Sequence, residues 1–200
     1  MGIWKEGGLM PNHVYNSVAI KGTAEQLKDV KTFLARKSFM NQPDEVPEFN
    51  FANLISIPRD KVDEYNTTHG FSDGVETGNT EYNWYNWNVS NWGTKWNAYD
   101  VSGGLVDDNH LQYWFSTAWS IPEPVINALA DYARQGDITF EWHAEEEQGW
   151  GAEFAFDGKE LKLIKEWDIP ETHAECLALD RDCWACEAEE PFDDCPKEGD

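Results

Sequence analysis

Alternating apolar and polar positions predict a strand over residues 13–21, followed by a change to helical spacing. The side of this strand expected to be buried carries Val14, Val18 and Ile20. Gly22 then breaks the alternation, and Thr23 with Gln26 forms the sequence signature of a capping box. The helix is predicted to run to about Arg36. Its inward residues are Leu27, Val30 and Leu34.

A second extended run, residues 49–57, predicts a strand that Pro58 ends. Residues 59–80 are polar and rich in glycine, which favours a long surface insertion. Residues 81–101 then hold four of the eleven tryptophans, on a pattern typical of a helix ending at Gly93. We expect its apolar face to be buried. That face consists of Tyr82, Tyr85, Val89, Trp92 and Trp96.

The next pattern predicts two strands, residues 96–102 and 111–119, joined by the turn-rich link 103–109. Ser120, followed by Pro122 and Glu123, is the expected cap at the start of the next helix. Gly136 is the expected end of that helix. The predicted buried face of the second strand is Leu111, Tyr113, Phe115, Thr117 and Trp119. The predicted buried stripe of the helix is Val125, Ile126, Leu129 and Ala133.

Residues 138–145 alternate between apolar and polar, which indicates a strand with one buried face and one solvent-exposed face. Residues 150–156 and 159–163 follow as a hairpin around an Asp-Gly turn. The order of elements predicts an α+β fold, a ferredoxin-like βαββαβ sandwich. We divide the chain into an extension (1–9), a domain (10–166) with a long aromatic helical insertion (59–95) and an additional C-terminal β-hairpin, and an acidic tail containing cysteines (167–200).

Four phrases carry a family resemblance. They are MPNHVYNSVAIKGT (10–23), FNFANLISIP (49–58), NWGTKWNAYDV (91–101) and TAWSIPEPVINALA (117–130). Through them the chain resembles the phage- and plasmid-encoded YubB/Api-like proteins, which contain a ferredoxin-like domain. The resemblance covers residues 10–157 and implies a bacterial host. Because the sequence shows neither a signal-peptide pattern nor a run of eighteen apolar residues, we expect a cytoplasmic protein without membrane contact.

The formal net charge of the 200 residues is −23, and residues 137–200 contribute 21 acidic and 5 basic side chains. This charge opposes direct binding to nucleic acid and favours a basic partner. Spread over roughly 9,600 Å² of surface, it averages about one charge per 400 Å², against about one per 100 Å² for duplex DNA. Only a concentrated patch can imitate DNA. The predicted partner-binding patch is Glu141, Glu145, Glu146, Glu147 and Glu153, with the tail from Asp180 to Asp200.

Catalytic signatures are scarce, because the sequence contains no phosphate-binding loop, nucleophile elbow or zinc-protease motif. Glu141, His143, Glu145 and Glu147 share one predicted strand face and suit an acid/base pair or a metal site. A solvated sheet face gives the same pattern, so no catalytic residue is predicted.

The four cysteines lie within twenty residues and suit a zinc site, the one cofactor the sequence suggests. Free thiols and redox chemistry remain alternatives. The predicted ligands are Cys176, Cys183, Cys186 and Cys195.

Three functions remain open beside the plain alternative that acidic surface keeps the protein soluble and monomeric. The preferred one is a non-enzymatic inhibitor that binds a basic, nucleic-acid-handling host protein, such as a restriction or CRISPR-type component. The second is nucleic-acid binding, with bases stacked on Tyr113, Phe115 and Trp119. Its phosphate contacts would come from Lys21, Lys28, Lys31, Arg36 and Lys37. The third is an enzyme using the 141–147 face or a cysteine-bound metal.

Overall fold

The computed structural model describes residues 12–40, 47–66, 70–72, 75–77 and 80–179, together with residues 192, 193 and 195. The predicted extension 1–9 lies outside these residues. In chain order the elements are β1 (His13–Lys21), α1 (Ala24–Leu34), two 3₁₀ turns (Phe51–Asn53 and Arg59–Lys61), α2 (Val62–Tyr65), β2 (Gly70–Ser72), β3 (Val75–Thr77), α3 (Trp84–Trp92), β4 (Tyr99–Asp107), β5 (His110–Ala118), α4 (Glu123–Arg134), β6 (Thr139–Glu146), β7 (Gly151–Phe156), β8 (Leu161–Trp167) and α5 (His173–Ala178).

The main sheet has the order β4-β5-β1-β6-β7-β8, and each neighbouring pair is antiparallel. Two crossovers build it, because α1 connects β1 to β4 and α4 connects β5 to β6, each passing over one intervening strand. This is the ferredoxin-like sandwich that the sequence predicted. The hairpin β7-β8 extends the sheet beyond β6. Among the described residues, every helix is too short or too polar to cross a bilayer.

The hydrophobic core lies between α1, α4 and one face of the sheet, which we call the inner face. Both predicted helical stripes are buried, and α1 begins with the predicted Thr23–Gln26 capping box. At the centre, the rings of Phe49, Phe115 and Trp142 meet at centroid distances of 4.8 to 6.1 Å. The alternation in β1 and β6 therefore identified the inner face correctly.

Residues 49–57 do not form the predicted strand. Asn50 instead caps a 3₁₀ turn, since its side-chain oxygen accepts from Ala52 N at 3.1 Å and from Asn97 Nδ2 at 2.8 Å. The side-chain oxygen of Asn97 also accepts a hydrogen bond from Phe51 N at 2.9 Å. Phe49 and Phe51 are both buried. The apolar run therefore correctly predicted that these residues are buried, but not that their backbone forms a turn.

Helix α3 ends at Gly93 as predicted, with a φ of +76°. The predicted buried face was only partly right, because Trp92 is buried but Val89 and Trp96 are exposed. The buried residues are Trp87, Asn88 and Trp92. Asn88 is turned inward by polar contacts, accepting from Tyr65 Oη and donating to Lys95 O, both at 2.9 Å. These two hydrogen bonds fix the rotation of the short helix.

The predicted link 103–109 was also wrong, because β4 continues to Asp107. Gly103 and Gly104 have φ of +125° and +146°, and the pairing of β4 with β5 is irregular. The two register shifts lie on either side of these glycines, which themselves pair regularly with Tyr113 and Gln112. The glycines that had indicated a turn therefore lie within the strand. Trp119 leaves the buried face of β5, since its φ is +74° and its side chain is exposed.

Ser120 does not cap α4 as predicted. The helix begins at Glu123 after Pro122, and the Ser120 hydroxyl donates to Gly93 O instead. Ser120 therefore connects the end of α3 to the start of α4. The predicted stripe of α4 and its end near Gly136 are confirmed.

The hairpin β7-β8 turns over residues 157–160, which include the predicted Asp157-Gly158 pair, but β8 begins at Leu161 and not at the predicted residue 159. The Asp157 carboxylate accepts from Glu160 N at 2.9 Å, Lys162 Nζ at 3.0 Å and Lys159 N at 3.0 Å. The hydrogen bond from the Glu160 backbone, followed by the Lys162 ammonium, holds the pKa of Asp157 well below its ordinary value.

Because this pKa is depressed by folding, the contribution to stability is present above the unfolded pKa of about 3.9 and is lost as the pH falls through the folded pKa. We therefore expect Asp157→Asn to destabilise the protein at pH 7 but to differ less from the parent at pH 2.5. Thermal unfolding of both proteins at the two pH values measures this. A difference that does not depend on pH would contradict it.

Candidate functional site

The outer face of the main sheet, opposite the core, carries both exposed aromatic side chains and carboxylates. Tyr15 on β1 and Trp114 on β5 are 55% and 50% exposed. Tyr15 pairs with Ser116, and Trp114 pairs with Ser17, so the two aromatic residues are diagonal neighbours on central strands. Such diagonal positions lie about 7 to 8 Å apart, within reach of large rings. They form an aromatic platform on the outer face.

Three predicted partner-binding residues lie beside this platform. Glu141 and Glu145 project from β6, and Glu153 projects from the adjacent position on β7. His143 lies among them, with its Nδ1 3.2 Å from Glu153 Oε1 and its Nε2 3.7 Å from Glu145 Oε2. Register pairs Glu145 directly with Tyr15. The carboxylates and the aromatic platform therefore belong to one surface.

Glu147 reaches this surface from just beyond the end of β6. Tyr15 Oη donates to Glu147 Oε1 at 3.4 Å, and Glu147 N donates to His13 O at 3.1 Å. Tyr99 lies next to it on β4, with its hydroxyl against His13 Nδ1. Burial, followed by the negative charges of Asp100 and Glu147, raises the pKa of Tyr99 to about 12. The local potential at this end of the sheet is thus negative.

The positive charges of the outer face are already engaged. Lys21 Nζ lies 2.9 Å from Glu141 Oε1, and Lys165, opposite Glu153 in the register, lies over the ring of Trp167. Lys28 and Lys31 are exposed on α1, which covers the other side of the sheet. Of the predicted basic cluster, Lys21 therefore lies on the outer face but is paired with Glu141, whereas Lys28 and Lys31 lie away from the aromatic platform.

Glu146, the remaining carboxylate predicted on β6, lies on the inner face. It is 2% exposed, and its Oε2 accepts from Gln148 N at 2.6 Å. Its Oε1 has no hydrogen-bond partner in the described part of the chain. Strand alternation places Glu145 and Glu146 on opposite faces of the sheet. The sequence alone could therefore have shown that Glu146 points inward. Glu146 does not belong to the outer face.

Burying a carboxylate with one unpartnered oxygen costs more than burying a neutral amide of the same shape. We expect Glu146→Gln to retain full stability at neutral pH or to gain up to about 2 kcal/mol. The same change at exposed Glu147 should alter stability by less than about 0.5 kcal/mol. Chemical denaturation of the two variants checks this. A clear loss of stability in Glu146→Gln would show that the carboxylate charge is compensated.

The residues predicted to stack bases are in the wrong place. Tyr113 and Phe115 are buried on the inner face, and burial raises the pKa of the Tyr113 hydroxyl to about 12. Trp119 lies at the end of the sheet, where Lys95 Nζ is 4.6 Å from its ring centroid and 4.8 Å from that of Trp96. The exposed platform residues Tyr15 and Trp114 were missed, although the same alternation that buried Tyr113 exposes Trp114.

The predicted zinc ligands are only partly described. Cys183 and Cys186 lie outside the described residues. Cys176 and Cys195 are both buried and form a small apolar cluster with Phe192. Within the described residues, no group of three or more potential ligands is close enough to hold a metal. A zinc site of these four cysteines stays a prediction.

Comparison with known proteins supports the fold. Residues 91–187 match a family model described as the ferredoxin-like domain in Api92-like protein. The chain is similar to the crystal structure of protein Api92 from Yersinia pseudotuberculosis, with a TM-score of 0.51 and 9% sequence identity over 80% of this chain and 99% of that chain. At this identity the similarity shows the fold alone. No curated protein matches the chain.

The Api92-like part of the predicted resemblance is thereby confirmed for residues 91–187. This match also includes part of the segment 167–200, which the sequence had set apart as a tail. The YubB resemblance and a phage or plasmid origin stay predictions.

Proposed function

We propose that this chain is a non-enzymatic binding protein whose outer sheet face recognises a basic surface of a partner protein. One observation carries the proposal: the outer face has an exposed pair of aromatic rings on β1 and β5, with carboxylates on the neighbouring β6 and β7 side, namely Glu141, Glu145, Glu147 and Glu153. Arginine side chains stack on aromatic rings and pair with carboxylates, so this combination suits a partner rich in arginine.

The charges favour a basic protein over nucleic acid. Aromatic side chains on the central strands of a ferredoxin-like sheet can stack bases. Here, however, the bases would bring phosphates next to four carboxylates, while Lys28 and Lys31 lie on the opposite side of the molecule. Association with nucleic acid depends on lysine and arginine replacing counterions. On this face Lys21 is paired with Glu141, and Lys165 lies over the ring of Trp167.

The partner class that fits is a host protein whose basic surface normally binds nucleic acid. A carboxylate-rich face competing for such a surface would act as an inhibitor and would need no active site. Restriction and CRISPR-type components belong to this class. Protection of phage in a host carrying such a system, lost when the outer-face carboxylates are replaced, would support this specific role. Equal protection by parent and variant would contradict it.

A direct test uses fluorescein-labelled nona-arginine as the basic probe and a dT12 oligonucleotide as the alternative. The parent should bind the peptide with an affinity that falls with salt, and should not bind the oligonucleotide. Replacing Glu141, Glu145, Glu147 and Glu153 by glutamine should weaken peptide binding about tenfold, because four partly exposed charge pairs together contribute about 1 to 3 kcal/mol.

The matched control changes the net charge by the same amount elsewhere. Its exposed sites are Glu25→Gln, Asp29→Asn, Asp108→Asn and Asp131→Asn. This control should bind the peptide nearly as well as the parent. Equal weakening by the two quadruple variants would show that only total charge matters and would reject the outer face as the site. Tight oligonucleotide binding by the parent would favour the nucleic-acid alternative.

A further inference from the structure

The inner face of the hairpin β7-β8 is only partly covered by α4. The C-terminal end of α4 reaches the hairpin turn, where Arg134 Nε donates to Lys159 O at 3.3 Å. The N-terminal end of α4 leaves a cleft of about 500 Å³ against the hairpin. Leu163 lines this cleft and is 54% exposed, which is unusual for an inward-facing strand residue.

The walls of this cleft are apolar and its rim is acidic. Ile121, Trp150, Phe154 and Leu163 supply the apolar surface. Glu123, Glu166 and Asp168 supply carboxylates, and all three residues are exposed. Within the described chain, no lysine or arginine lies within ion-pair distance of these carboxylates. The rim charge is therefore available to an incoming cation.

We propose that this cleft is a second recognition site, separate from the outer face, that takes an arginine side chain flanked by apolar residues from a partner protein. The guanidinium would pair with the rim carboxylates while its stem and neighbours pack on Phe154 and Leu163. The volume lies in the range of pockets that enclose small ligands or side chains. A second copy of the chain would bring another net charge of −23 to the acidic rim, so charge complementarity selects a basic partner.

The test uses the peptide acetyl-Leu-Arg-Leu-amide and the control peptide acetyl-Leu-Glu-Leu-amide. Two-dimensional ¹H–¹⁵N spectra should show the arginine peptide shifting the amides of Ala152, Phe154 and Leu163, and the glutamate peptide leaving them unchanged. The double variant Glu123→Gln/Glu166→Gln should bind the arginine peptide about fivefold to tenfold more weakly, as should Leu163→Ser. Both changes are at exposed positions, so folding should survive.

The variant Glu141→Gln/Glu145→Gln on the outer face is the matched control and should leave these shifts unchanged. Absence of shifts at the cleft amides, or equal binding by the cleft variants and the parent, would overturn this site without affecting the outer-face proposal. Self-association in sedimentation experiments, with the same amides shifting as the protein concentration rises, would assign the cleft to a second copy. That result would also overturn the proposal.

Discussion

Trp92→Ala is expected to lower the free energy of unfolding by about 3 to 5 kcal/mol. The side chain is 2% exposed, and its ring centroid lies 5.8 Å from that of Phe51 and 5.4 Å from that of Trp87. Its Nε1 also donates to Ile55 O at 2.9 Å. Alanine would leave both a cavity and an unpaired buried carbonyl. Chemical denaturation measures the loss.

Trp96→Ala is the matched control, because it removes the same side chain from a position that is 37% exposed. Its contacts are with Lys95 and the edge of Tyr99, so the loss should stay below about 1.5 kcal/mol. Equal losses in the two variants would show that Trp96 is buried as fully as Trp92, as the predicted stripe required.

Gly103→Ala should have the second largest effect, a loss of about 2 to 5 kcal/mol. A Cβ at Gly103 would lie 2.1 Å from Gln112 O and 2.9 Å from Tyr113 Cα, and both are backbone atoms of β5. The φ of +125° adds strain for any residue with a side chain. The variant must either distort β4 or separate it from β5.

Gly104→Ala separates strain from collision. Its φ is also positive, but its Cβ would meet only the flexible end of Lys31 at 3.4 Å. We expect this variant to lose about 1 to 2 kcal/mol from strain alone. Similar denaturation midpoints for the two alanine variants would show that β4 does not approach β5 closely at Gly103.

Local patterns predicted the elements whose stability is largely local. The Thr23–Gln26 box, the stripe of α4 and the Asp157-Gly158 turn each depend on residues within a few positions. Strand alternation in β6 likewise separates Trp142, in the core, from His143, on the outer face. For this reason most of the ferredoxin-like elements could be read from local patterns, although residues 49–57 were wrongly predicted as a strand.

The features that the sequence did not predict depend on hydrogen bonds between residues far apart in the chain. The turn at Asn50 depends on the amide of Asn97, and the inward position of Asn88 depends on Tyr65. Neither of these long-range hydrogen bonds produces a periodic pattern in the sequence. The outer-face site lies between these cases. Alternation predicts that Glu141, Glu145 and Trp114 point away from the core, whereas only the pairing of β1 with β5 makes Tyr15 and Trp114 neighbours.

The most direct measurement of the central claim maps where nona-arginine contacts the protein by ¹H–¹⁵N chemical-shift perturbation. The outer-face account predicts the largest changes at Tyr15, Ser17, Trp114, Glu145 and Glu153, diminishing as salt is raised. Changes confined to α1 and α4, with the amides of the outer face unmoved, would contradict it.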